Sequence, residues 1–74
     1  MDLGEPGSYL TLTAGMAVLS SDGARLGAVT EVLAEEDKDI FEGIRFEGAD
    51  GERFVAADAV AEIRERGVVL APSA

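Results

Sequence analysis

SDGARLGAVTEVLAEE, residues 21–36, can be folded on paper in two ways. Leu26, Val29, Val32 and Leu33 recur at spacings of three and four, and Ala, Leu and Glu are good helix formers. Gly27 in the first turn of that helix would cost roughly 0.8–1.0 kcal/mol relative to alanine. A strand with a bulge at Gly27 shifts the alternation by one residue and yields the same spacing. Periodicity alone leaves the two even. Ahead of the segment, Asp22-Gly23 is a hairpin dipeptide suited to a type I′ turn, in which both central residues need positive φ.

Outward from this segment the signals are those of short strands. Tyr9-Leu10-Thr11-Leu12-Thr13 alternates with period two, and Met16-Ala17-Val18-Leu19 follows after Ala14-Gly15. Residues 40–47 place Ile40, Ile44 and Phe46 on one face and Phe41 and Arg45 on the other, with Glu42 and Gly43 as irregularities. Asp50-Gly51 makes a second hairpin into Arg53-Phe54-Val55. Val60 and Ile63, three apart, predict one helical turn near residues 57–63, and Arg66-Gly67 turns into Val68-Val69-Leu70. The reading is an all-β chain, a small antiparallel barrel of five to six short strands. Asp22-Gly23-Ala24-Arg25-Leu26 is echoed by Asp50-Gly51-Glu52-Arg53-Phe54, which two hairpins of like turn chemistry produce without duplication. Residues 1–11, with two glycines and a proline, are expected as a flexible tail, 12–71 as the single domain, and 72–74 as a short C-terminal tail.

Composition limits the chemistry. The 74 residues carry fifteen acids and six bases, a formal charge of −9, with no cysteine and no histidine. Such a field repels phosphate backbones and anionic lipid, so nucleic acid is not an expected partner. No disulfide is possible, and the usual zinc ligands are missing. No run reaches the ~20 apolar residues of a membrane span, and the first residues lack the basic start and apolar core of a signal peptide. A cytoplasmic location is expected. The excess of arginine over lysine, with abundant alanine, points to a GC-rich bacterial genome.

Site chemistry is sparse. Ser8, Ser20, Ser21 and Ser73 have no histidine to activate them, and Ser20 and Ser21 belong to a turn. Glu31 shares the parity of Val29 and Leu33 and is the one carboxylate considered for burial, although a solvent-facing edge position is the expectation. Glu35-Glu36-Asp37-Lys38-Asp39 lacks the spaced ligands and turn glycine of a calcium loop and reads as a solvated acidic loop. No catalytic, metal or cofactor residue is assigned.

The residues Gly15-Met16-x-Val18, Ser21-Asp22-Gly23, Leu26-Gly27-x-Val29 and Val32-Leu33 resemble the PRC-barrel family. The resemblance continues through Phe54-Val55-Ala56, Asp58-Ala59-Val60, Ile63 and Val68-x-Leu70, and so covers about residues 12–71. It implies a strand at residues 25–33 and a domain that binds other proteins without catalysis. Asp22, Gly23, Gly27, Asp50 and Gly51 are expected as structural turn and bulge residues. A chain this short buries only about 60% of its unfolded surface, so a partner is the expected supplement. The expectation is a homodimer through an outward apolar face including Phe41 and Val69. The rival is a small-molecule or ion-binding barrel with an open interior.

Overall fold

The spacing that could be helix or strand in residues 21–36 resolves as one long, twice-bulged strand. A computed structural model describes residues 3–72. It contains β1 (Ala17–Leu19), β2 (Arg25–Glu35), β3 (Ile40–Gly48), β4 (Gly51–Ala56), β5 (Val60–Arg64) and β6 (Gly67–Leu70). Single 3₁₀ turns lie at Tyr9–Thr11, Glu36–Lys38 and Ala57–Ala59. The six strands form one sheet in the order β4-β3-β2-β1-β6-β5, curled into a half-barrel. The mostly-β expectation holds. The sheet is mixed, however, because β1 and β6 run parallel while the other neighbours are antiparallel.

In β2, Val18 of β1 faces Gly27 but Leu19 faces Arg25, which leaves Leu26 as an extra residue. Against β3, Val29 faces Phe46 and Glu31 faces Arg45, which leaves Thr30 extra. Each extra residue moves the following side chains to the other face. Leu26, Val29 and Val32 thereby all reach the core, three apart, without a helix. The bulge is beside Gly27 rather than at it, and the φ of Gly27 is not positive. That glycine answers a close approach instead. It pairs with Gly48 of β3, and a Cβ on it would sit 2.0 Å from the Glu47 carbonyl oxygen.

The same device corrects the helical turn expected over residues 57–63. The 3₁₀ turn is confined to Ala57–Ala59. Val60 pairs with Leu70 and Glu62 with Val69, so Ala61 is a bulge that turns both Val60 and Ile63 towards the core.

Neither Asp-Gly turn is type I′, because neither Asp22 nor Asp50 has positive φ. In the first, the Gly23 N–H donates to Ser20 O at 3.0 Å and the Ser20 N–H to Ala24 O at 2.8 Å. The left-handed φ falls on the glycine alone, +92° at Gly23 and +96° at Gly51. This fits a turn closed by an αL glycine, the other common hairpin solution.

The tail expected over residues 1–11 is docked where it is described. The Gly7 N–H donates to Ile63 O at 2.9 Å, the Glu65 N–H to Glu5 O at 3.0 Å, and the Arg66 N–H to Leu3 O at 2.9 Å. These bonds occupy the outer edge of β5, which would otherwise be open for pairing. The strand expected over residues 9–13 is a 3₁₀ turn at Tyr9–Thr11, because the Ser8 hydroxyl accepts from the Leu10 N–H as a cap. Leu12 and Leu70 join Val18, Val29, Ile44, Phe46, Val55 and Val68 in the main core, and Leu3 joins Ala17 and Leu19 in a second cluster.

Candidate functional site

Phe41 illustrates how a bulge moves a candidate residue. Leu33 faces Gly43 and Ala34 faces Phe41, so Glu42 is extra and the strand changes parity there. Phe41 therefore turns inward against the core, and Ile40 is left 45% exposed. The assignment of Phe41 to the outer face, with Ile40 inside, is reversed. Tyr9 stacks on Phe41 with ring centroids 5.5 Å apart and planes 9° apart. The Tyr9 hydroxyl donates to Asp39 Oδ1 at 2.6 Å, at the one described non-glycine residue in a left-handed conformation. That hydrogen bond, then desolvation and the negative charges of Asp39 and Glu36, push the Tyr9 pKa up to about 12. Val69 does lie on the outer face, beside Glu62, but Leu3 packs over it with Ala17 and Leu19. The two residues expected to share an interface thus lie in separate clusters, each covered in part by the N-terminal segment.

The exposed apolar groups lie elsewhere. Phe54 of β4 is 49% exposed, and its ring lies on Gly43, where a Cβ would come within 2.9 Å of Cε1 and Cζ. Gly43 also faces Leu33, half-buried on β2. Ile40 continues the outward face of β3 past the Glu42 bulge. Next to Phe54, Arg45 bridges two strands, 3.4 Å from Glu31 and 3.8 Å from Glu52. Glu52 also accepts from the Thr30 hydroxyl at 3.0 Å. The Thr30 bulge puts Glu31 outside despite the parity it shares with Val29, as the solvent-facing expectation required.

β4 pairs only with β3 and ends the sheet. Among the described residues, no other backbone reaches it by hydrogen bond. Alternate N–H and C=O groups along residues 51–56 therefore face outward, as on any edge strand. Sequence reasoning missed Phe54 as a surface group. Its inward neighbour Val55 was the available signal, since strict alternation in β4 sends residue 54 out.

The polar groups of the turns and the acidic loop make local contacts. The Ser20 hydroxyl donates to Asp22 within the first turn, and this contact, with the Ala24 N–H, holds the Asp22 carboxyl below the usual range. Ser21 is exposed in the same turn, and Ser73 lies outside the described residues. In the acidic loop Lys38 stands 3.8 Å from Glu35, and Asp39 is engaged by Tyr9. Among the described residues no group of three or more acidic side chains is arranged to hold a metal ion, and no helix is long and apolar enough to cross a membrane. Comparison with known proteins finds no family model and no curated protein that matches this chain.

Proposed function

We propose that the chain is a PRC-barrel-like, non-catalytic interaction module that associates with a second copy of itself through the β4 edge. The observation that carries this reading is the unpaired outer edge of β4 with Phe54 exposed beside it. The opposite end of the sheet is closed by residues 3–7, so β4 is the edge left for pairing. Two β4 strands meeting antiparallel about a two-fold axis at Phe54 would set the two rings opposite one another, a favourable cross-strand pair. The same register places Arg53 opposite Val55 and Glu52 opposite Ala56 of the second copy, which keeps the two Glu52 carboxylates from facing each other.

An open interior, which the ligand-binding alternative needs, finds little support. Phe46, Ile44, Val18, Val29 and Val68 are fully buried and occupy the middle of the curl. The test of self-association is light scattering or sedimentation over a wide concentration range, for the parent and Phe54→Glu. Phe54 is half exposed, so the substitution leaves the core alone and sets like charges at the axis. The parent should dimerise and the variant should not. A parent that remains monomeric at high micromolar concentration would sink the homodimer.

A further inference from the structure

Basic side chains are scarce in this chain, and most of the six are engaged. Lys38 faces Glu35, Arg45 faces Glu31 and Glu52, and Arg64 faces Glu62 and donates to the Gly4 carbonyl. Arg66 also has partners. Arg25 and Arg53 differ: among the described residues neither has a carboxylate at ion-pairing distance. In a chain with fifteen acids, two unpaired guanidinium groups call for a reason. They occupy matching places, each three residues after the aspartate of an Asp-Gly turn. The fold brings the ends of those two hairpins together, and both arginines border one recess of about 170 Å³.

The recess has an apolar wall as well as a charged one. Leu26 lines it beside the buried Phe46 ring that Arg53 covers, and Gly48 and Asp50 are also among its lining residues. The Arg53 guanidinium carbon lies 5.8 Å from the Phe46 ring centroid, held by the ring face rather than by an acid. We propose that this recess binds a small monocarboxylate carried on an apolar or aromatic body. Guanidinium forks match a carboxylate in shape and charge. The recess is about half open to solvent and has room for one ring at its surface. Asp50 and the net charge of −9 act against a second negative charge, which separates a monocarboxylate from phosphate. The site does not depend on pairing through β4.

The test is an amide NMR titration of the full chain with benzoate, with benzyl alcohol and with inorganic phosphate. Benzoate should give saturable shifts centred on Phe46, Gly48 and Gly51, with a Kd of about 1 mM for so small a ligand. Benzyl alcohol, which keeps the ring but not the charge, should bind at least about tenfold more weakly, and so should benzoate to the Arg25→Gln/Arg53→Gln variant. The variant's own spectrum shows whether it is folded, and the benzoate–benzyl alcohol comparison on the parent does not need it. Equal response to benzyl alcohol, tighter binding of phosphate, undiminished affinity in a folded double variant, or no saturable shift with benzoate would each overturn the proposal.

Discussion

Gly27→Ala is the substitution whose outcome follows most directly from the geometry. The added Cβ would lie 2.0 Å from Glu47 O, 2.7 Å from Glu47 C and 3.0 Å from Gly48 Cα. All three are backbone atoms of β3, so no side chain can rotate away, and β2 and β3 must separate where they pair. Overpacking of this kind costs about 1–3 kcal/mol, and a rigid backbone obstacle puts it at the upper end. Against this, alanine stiffens the unfolded chain and returns about 0.4–1 kcal/mol. The net loss is then about 2 kcal/mol, which for a domain of this size lowers Tm by about 8–16 °C. Gly48→Ala should behave alike, because its Cβ would meet Leu26 O at 2.2 Å. Gly23→Ala is the control, with nothing within 4 Å of the new Cβ but a φ of +92°, and should cost roughly 1–2 kcal/mol from conformation alone. Thermal unfolding by circular dichroism reads all three. A parent-like or higher Tm for Gly27→Ala would refute the close approach of β2 and β3.

Three further outcomes test other parts of the structure. Tyr9 is the one tyrosine, so tyrosinate absorbance against pH reports it alone, and its midpoint should lie near 12 rather than 10. Because the folded value is raised, the associated stability is complete below pH 10 and is lost as pH climbs towards 12, a decline that Tyr9→Phe should remove; a midpoint near 10 would mean that the bond to Asp39 is not made. Phe41→Ala should cost about 1–3 kcal/mol, less than the ~3–5 of a fully buried phenylalanine, whereas Ile40→Ala should stay within about 0.5 kcal/mol; denaturant midpoints in the opposite order would restore the alternation that the Glu42 bulge breaks. Modest salt should raise Tm, since the charge of −9 repels itself and the ion pairs around Arg45 are exposed; a fall in Tm would give those pairs more weight than the general repulsion.

What the sequence determined by itself was the class of fold and the location of its turns. Asp-Gly pairs punctuate short apolar runs, and the runs beside them became strands, whereas the alternating run at residues 9–13 became a 3₁₀ turn. The count of five to six strands follows from the same punctuation. The faces were another matter. Leu26, Val29 and Val32, then Phe41 and Ile44, then Val60 and Ile63, all show apolar residues three apart, and in each case the cause is a bulge. A bulge is defined by two strands together, by which residue is left without a partner, so a single strand's sequence cannot distinguish it from a helical turn. For the same reason Phe41 could not be placed from its own alternation, and Gly27 could not reveal that its partner is another glycine. The docking of residues 3–7 on β5, the parallel pairing of β1 with β6, and the meeting of Arg25 with Arg53 at one recess are contacts between segments far apart in the chain. Only the pairing and curl of the sheet bring them together.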